Sequence, residues 1–181
     1  QYIEQYVAFW LRSKEDGGLQ QHFHQYSGWA AAAAYERWLV DADTGFLLSL
    51  LDPLILDYRT WEKERLLESG LFWQFDVRDG MEESISGSRT ARNARPTINS
   101  YMYGNARAIA KIAALAGRPS VTREFEAQAE AVKRLVQERL WDKKAAFFKV
   151  LLESGALADV RELLGYTPWY FNLPEPGRGY E

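Results

Sequence analysis

The spacing of apolar residues along the chain predicts an all-α fold. In several segments apolar side chains recur every three or four positions, as they do on the buried face of an amphipathic helix. Glycines, prolines and short polar turns separate these segments. On this basis we expect five main helices, over residues 3–14, 28–41, 45–65, 97–116 and 120–141.

The ends and connections of these helices carry further expectations. Ser27 and Ser120 each stand where a side-chain cap is expected for the helix that follows. Pro53 lies inside the third helix, so we expect either a kink there or a break near Asp52. The last part of the chain is predicted to contain a strand or hairpin over 146–152, a short helix over 158–164 and a loop over 166–181.

Short connections join the second helix to the third and the fourth to the fifth. Each pair is therefore predicted to pack as an antiparallel hairpin. Residues 66–96 show no helical period and are predicted to be a long loop. Hairpins with long loops between them are typical of a toroid whose loops gather at one end. We expect the whole chain, residues 1–181, to form a single domain.

Composition narrows the classes of function. The net charge of −3 argues against a nucleic-acid-binding domain, which usually carries a basic excess. No run approaches the ~18 apolar residues of a membrane span. Cysteine is absent, while there are seven Trp, ten Tyr and nine Phe, which is a heavy aromatic load. The chain starts Gln-Tyr-Ile-Glu with neither an initiator Met nor a signal-peptide pattern, so we expect a piece of a longer protein.

The segment 77–87 holds the main candidate for chemistry. It places Asp79, Glu82 and Glu83 within five positions on a glycine-bracketed loop. Carboxylates on a loop beside aromatic residues are typical of acid–base chemistry on a sugar. Glu82 is the first candidate for a general acid, because apolar neighbours and nearby carboxylates would raise its pKa. The alternative is that these adjacent carboxylates are simply solvated.

Other residues are candidates for contact with a sugar. Asn99 and Tyr103 lie where a helix opens directly after the loop, and the amide could bind a sugar hydroxyl or merely cap the helix. Trp73 and Trp169, the latter followed by Tyr170 and Phe171, could stack on a sugar ring. Most aromatic residues of a helical protein belong to the core, so each of them also has a structural interpretation.

The remaining polar clusters have weaker patterns. His22 and His24 form a His-x-His, but too few further ligands are evident, so no metal site is predicted. His24, close to Tyr26 and Trp29, is instead expected to donate or accept hydrogen bonds at a pocket. Three arginines follow the acidic segment, where they either bind an anion or form a solvated basic loop; they are Arg89, Arg92 and Arg95.

Read in order, these motifs resemble those of a known group of enzymes. Asp79-Gly-Met-Glu-Glu-Ser resembles the Glu-Ser-Gly-(Trp/Met)-Asp-x-Ser general-acid motif of trehalases and processing α-glucosidases. Thr97-Ile-Asn-Ser-Tyr-Met-Tyr is similar to their Asp-Leu-Asn-x-x-x-Tyr element, and Leu140-Trp-Asp with Phe147-Phe-Lys to their Leu-Trp-Asp…Phe-Phe segment. These are the six-hairpin glycoside hydrolases, which are (α/α)6 toroids. Gly165-Tyr-Thr-Pro-Trp-Tyr-Phe fits the mannosylglycerate-hydrolase-like branch best.

The resemblance implies a function. Glu82 matches the general-acid position, where most relatives have Asp, and Asn99 matches a sugar-binding position. The implied mechanism is inverting hydrolysis of a glycosidic bond without a cofactor, with the general base supplied by a part of the toroid beyond this chain. In inverting enzymes the two carboxyl groups stand ~6.5–9.5 Å apart.

Two alternatives stay open. In the first, the chain is a non-catalytic carbohydrate-binding piece of a toroid. In the second, it is a helical interaction module whose loop carboxylates are incidental. An incomplete toroid would expose apolar helix faces, so we also expect self-association.

Overall fold

A computed structural model describes residues 2–11, 25–80 and 83–180 of the chain. These residues are mostly helical, as the hydrophobic pattern predicts. The only sheet among them is the antiparallel pair β1 (Trp141–Asp142) and β2 (Phe147–Phe148). The α-helices are α1 (Tyr2–Leu11), α2 (Ala30–Asp41), α3 (Thr44–Ser49), α4 (Leu51–Arg65), α5 (Pro96–Leu115), α6 (Pro119–Arg139) and α7 (Thr167–Tyr170).

Helix α5 is the centre of the fold. Most of its residues are buried, and it packs against α2, α4 and, along its length, α6. The predicted α5–α6 hairpin is confirmed. Gly117, at φ 67°, ends α5 in a left-handed turn, and Pro119 opens α6 where its missing N–H is not needed. Helix α6 is amphipathic, and its buried face consists of Phe125, Ala129, Val132 and Val136.

The other predicted hairpin pairs the second helix with the third. In the structure α2 instead packs mainly against α5. Ser27 does not cap α2, which starts at Ala30 without a side-chain cap of its own. Instead the side-chain amide oxygen of Asn105, Oδ1, on α5, accepts hydrogen bonds from the N–H groups of Ala31 and Ala32 at 3.1 and 3.3 Å. The amino end of α2 is therefore capped by α5, and this tertiary cap has no signal in the local sequence.

Two further boundaries differ from the prediction. The break in the third helix falls at Leu50, between α3 and α4, and Pro53 lies in the first turn of α4, which tolerates proline. Ser120 does not cap α6, since Arg118 takes the cap position and Pro119 is the first helical residue.

The segment after β2 also differs from expectation. The helix predicted over 158–164 does not form, since residues 158–162 are irregular and Leu163 and Leu164 begin a 3₁₀ turn. The chain just before this segment is held by extended pairing. Leu151 forms bridges with both Ala94 and Leu157, and Gly155 makes the turn between them at φ 87°. The tail is not all loop, because a 3₁₀ turn at Leu163–Tyr166 runs directly into α7.

Two kinds of feature are absent from the described residues. None of the helices they form is long and apolar enough to cross a membrane. The same residues contain no group of three or more His, Cys, Asp or Glu side chains placed to hold a metal ion.

Candidate active site

Asp79 begins the acidic loop and is enclosed by the protein. It follows a 3₁₀ turn, Asp76–Arg78, and its Oδ2 accepts a hydrogen bond from Arg95 Nε at 2.7 Å and another from the Thr97 hydroxyl. The side chains of Asp79 and Arg95 are both 0 % exposed. This buried ion pair joins the start of the loop to the start of α5.

The environment of Asp79 raises the pKa of its carboxyl group. Burial raises its pKa to about 6, and the nearby charge of Arg95 offsets only part of that effect. The Ser27 hydroxyl also faces Asp79 and lowers its pKa slightly, although it does not reach hydrogen-bond geometry. Within the described part of the chain, three buried polar atoms here have no hydrogen-bond partner: Asp79 Oδ1, Arg95 Nη2 and Ser27 Oγ.

The later part of the loop, residues 84–86, is held by contacts with two other side chains, Arg95 and Glu162. Arg95 Nη1 donates to Ser84 Oγ at 3.3 Å. The Glu162 carboxylate accepts hydrogen bonds from the N–H of Ile85 at 2.7 Å, from the N–H of Ser86 at 3.2 Å and from the Ser86 hydroxyl. The loop is thus attached to α5 on one side and to the segment before α7 on the other.

Two of the candidates cannot be placed. Glu82, the predicted general acid, and His24 both lie outside the described residues. Their roles stay predictions. Glu83, the neighbouring carboxylate, is exposed and forms a surface ion pair with Arg89 at 2.7 Å, as expected for a solvated side chain.

An aromatic wall lies next to the ion pair. Tyr101, one turn along α5 from Thr97, contacts Trp29 and Phe171, with ring centroids 4.7 and 5.7 Å apart. Burial raises the pKa of Tyr101 to about 12, with smaller contributions from the charges of Asp79 and Tyr170. Tyr101 therefore lies between the acidic loop and the aromatic residues at the ends of α2 and α7.

The two partners of Tyr101, Trp29 and Phe171, line a cavity of about 680 Å³ between α2, α5 and α7. Its wall combines ring faces with charged groups. Tyr170 is 74 % exposed there, and Trp29 is also exposed. A cavity of this size with both ring faces and polar groups has the properties of a carbohydrate site. The polar part of its wall comes from Glu36, Arg107, Lys111 and Asn172.

The remaining candidates lie elsewhere in the structure. Asn99 is fully buried, with its amide bonded to the backbone of Phe72 and Arg95, and it does not cap α5. Tyr103 is buried, and its phenolic oxygen accepts a hydrogen bond from Arg107 at 3.3 Å. The structure does not bring either residue to the aromatic cavity.

The two predicted tryptophans occupy separate aromatic clusters. Trp73 is buried, with the guanidinium carbons of Arg65 and Arg92 lying 4.5 and 5.2 Å from its ring centroid. Trp169 packs against Phe148 at 5.0 Å and donates its indole N–H to the Tyr180 carbonyl at 2.9 Å. In the motif at 165–171 it is the neighbouring Tyr170 that faces the cavity.

Comparison with known proteins identifies the domain. The sequence model of the mannosylglycerate hydrolase MGH1-like glycoside hydrolase domain matches residues 1–181. The chain belongs to this family. The membership agrees with the order of motifs in the sequence, which resembles that of six-hairpin glycosidases. The comparison with curated proteins gave no significant match.

Solved structures contain the same arrangement as part of longer chains. The MGH1-like domain superposes on a protein titled sialidase with a TM-score of 0.93 and 42 % identity, over 99 % of this chain and 16 % of the other. It also matches a GH78 family rhamnosidase of Bacillus sp. GL1, with a TM-score of 0.65 and 15 % identity, over 83 % of this chain and 16 % of the other. This second likeness shows a shared fold. The chain spans about a sixth of the length of either protein.

Several residues of the site could not be singled out from the sequence. Arg95 appeared only as one of three loop arginines, although Pro96 beside it marks the first turn of a helix and was a usable signal. Glu162 reaches Ile85 across 77 positions of sequence, which no local pattern predicts. Trp29, which lines the cavity, was noted only as a neighbour of His24.

Proposed function

We propose that this domain supplies one half of the catalytic site of an inverting glycoside hydrolase, with Glu82 as the general acid. The observation that carries the proposal is the attachment of the Asp79–Gly87 loop through a fully buried ion pair, beside an aromatic cavity. The family membership, the order of the motifs and the sequence position of Glu82 within this loop all support it.

The chemistry requires a carboxylic acid that is protonated near neutral pH. A general acid transfers its proton to the glycosidic oxygen as the bond breaks, which contributes typically 10²–10⁴-fold in rate. Burial of a carboxyl group can supply such an acid, and at the start of the loop it raises the pKa of Asp79 to about 6. Asp79 itself is fully enclosed in the structure, which is why we assign the acid role to Glu82 and retain Asp79 as a supporting residue.

The second carboxylate would come from another part of the protein. Inversion requires a general base that activates water on the opposite face of the sugar. We propose that the helices described above form part of an (α/α)6 toroid and that a later segment supplies this base. The sugar itself would lie against Trp29 and Tyr170 at the mouth of the cavity.

Hydrolysis assays on the full protein test this proposal. A panel of 4-nitrophenyl glycosides of common hexoses, pentoses and deoxyhexoses would identify the sugar, and NMR of the first-formed product would report inversion. On an alkyl glycoside of the sugar so identified, whose departing oxygen needs a proton, Glu82→Gln is expected to lower kcat by at least 10²-fold. The matched Glu83→Gln, at an exposed carboxylate one residue away, is expected to change kcat less than twofold. A rate within a few-fold of wild type for Glu82→Gln would exclude it as the acid.

The proposed contact between the sugar and Tyr170 has its own test. Tyr170→Ala should raise KM by about 3–10-fold, because an aromatic contact contributes ~0.5–1.5 kcal/mol. Tyr166→Ala is a matched control, since Tyr166 is also exposed but packs against Phe147 and Trp169 instead of the cavity. Sugar binding without hydrolysis by the full protein would favour the carbohydrate-binding alternative.

A further inference from the structure

One side chain contacts both sides of the segment that carries Glu82. Arg95 Nε donates to Asp79 Oδ2 at 2.7 Å, and Arg95 Nη1 donates to Ser84 Oγ at 3.3 Å. Asp79 and Ser84 flank the four positions 80–83. A single guanidinium group therefore bonds to both ends of this short segment.

We propose that Arg95 is a positioning residue, which fixes the loop so that the Glu82 carboxyl group meets the glycosidic oxygen. The inference rests on the proposed function, because it assumes that Glu82 is the acid. It goes beyond that function by assigning the geometry of the loop to one buried arginine, directly before α5.

The backbone of Arg95 is held rigidly, which a positioning residue requires. Directly before it, Ala94 forms bridges with both Trp73 and Leu151. Directly after it, Pro96 begins α5. The Arg95 carbonyl also accepts a hydrogen bond from Asn99 Nδ2 at 2.8 Å. The guanidinium group consequently projects from a fixed point towards the loop.

Arginine suits this task better than lysine. Its planar guanidinium presents five donors in a fixed fork, so a single side chain can bond two acceptors in a defined geometry. Arg95 uses the fork in this way and leaves Nη2 without a partner among the residues described. A buried, unpaired donor lowers stability, so a purely structural requirement does not account well for its presence.

The dependence of the rate on the leaving group tests the inference in the full protein. An alkyl glycoside needs a proton on its departing oxygen, whereas a glycosyl fluoride of the same sugar departs with little acid assistance. We expect Arg95→Gln to lower kcat at least tenfold on the alkyl glycoside and less than threefold on the fluoride, with KM changed less than threefold on both. Glu82→Gln should show the same selectivity with a larger amplitude.

Two more variants keep the test decisive. Arg95→Lys retains the charge without the fork and should show the same selective loss. Ser84→Ala leaves the Arg95–Asp79 ion pair in place, so it also covers the case in which the Arg95 variants fail to fold, and it should show the selective loss at smaller amplitude. Arg134→Gln, which removes a surface ion pair on α6 with Glu138, is the matched control and should behave as wild type.

The possible results separate the two proposals. Equal losses on both substrates for Arg95→Gln, while Glu82→Gln remains selective, would overturn the positioning role alone. So would a Ser84→Ala enzyme that equals wild type on both substrates. An absence of selectivity in Glu82→Gln itself would overturn the acid assignment, and the positioning role with it.

Discussion

The side chain of Asn99 forms two reciprocal hydrogen bonds with the backbone of Phe72. Its Oδ1 accepts from the Phe72 N–H, and its Nδ2 donates to the Phe72 carbonyl, both at 2.8 Å. The same Nδ2 also donates to the Arg95 carbonyl at 2.8 Å. Asn99 thereby pairs with the backbone of the segment before the Asp79–Gly87 loop, and it fixes that segment to α5.

We therefore predict that Asn99→Ala is strongly destabilising. It leaves buried backbone groups of Phe72 without partners, and each such group costs about 1–3 kcal/mol. The free energy of unfolding, measured by urea denaturation, should fall by about 2–5 kcal/mol. Asn99→Asp would turn a carboxylate oxygen towards the Phe72 and Arg95 carbonyl oxygens in a fully buried place, so we expect a fall at least as large. A change in the free energy of unfolding below 0.5 kcal/mol for Asn99→Ala would contradict the role of these hydrogen bonds in stability.

The buried carboxyl group of Asp79 predicts a distinctive dependence of stability on pH. Its pKa is about 6 in the folded protein and about 3.8 without the protein environment, so the folded state binds the proton more tightly. The stability that this group contributes is then fully present below pH 4 and is lost as the pH rises through 6. The loss is on the order of a few kcal/mol.

Asp79→Asn isolates this effect, because the amide has the shape of the neutral acid and does not titrate in this range. We expect the stability of wild type relative to Asp79→Asn, measured by urea unfolding between pH 4 and 7.5, to decrease as the pH rises. Asp142 and Glu175 have lowered pKa values and act in the opposite direction at lower pH, and both are the same in the two proteins. A relative stability that stays flat or increases would refute the raised pKa of Asp79.

How far the sequence predicts this structure depends on the range of the interactions involved. The amphipathic pattern of α6 and the glycine–proline turn before it are local signals, so the α5–α6 hairpin could be predicted. Two other contacts join residues more than 70 positions apart: Asn105 caps α2, and Glu162 accepts hydrogen bonds from the loop. Such contacts leave no periodic trace in a single sequence, and for this reason α2 was paired with the wrong helix.

The same distinction applies to the site. The loop carboxylates and Tyr170 were recognisable as candidates from their residue types and spacing. Which aromatic residue faces the cavity depends on how α7 begins, and that follows from the packing of Phe147 and Trp169 against Tyr166. Asn99 was expected either to bind sugar or to cap a helix, whereas its observed hydrogen bonds serve the backbone of a distant segment.

Gly104 allows α7 to approach α5 closely, and this predicts a steric effect. A Cβ atom at this position would lie 2.4 Å from Cδ1 of Phe171. Gly104→Ala should displace Phe171 and the cavity wall, and reduce the unfolding free energy by about 1–3 kcal/mol. Gly28→Ala is the matched control, because a Cβ atom there meets no neighbour within 4 Å. Thermal unfolding of the two variants should differ clearly, and equal melting temperatures would argue against the close approach.

Glu162 predicts a link between the segment before α7 and catalysis. Its carboxylate accepts from the N–H groups of Ile85 and Ser86, and in Glu162→Gln an amide NH₂ would face one of these donors. We expect stability to fall by about 1–2 kcal/mol. Because Glu162 holds the side of the loop opposite to Asp79, we also expect kcat to fall more than KM changes. Glu153→Gln, on the same stretch of chain but with an exposed side chain, should leave stability and kcat unchanged. If Glu162→Gln loses stability while kcat stays at the wild-type value, the contact anchors the loop without aligning it for the reaction.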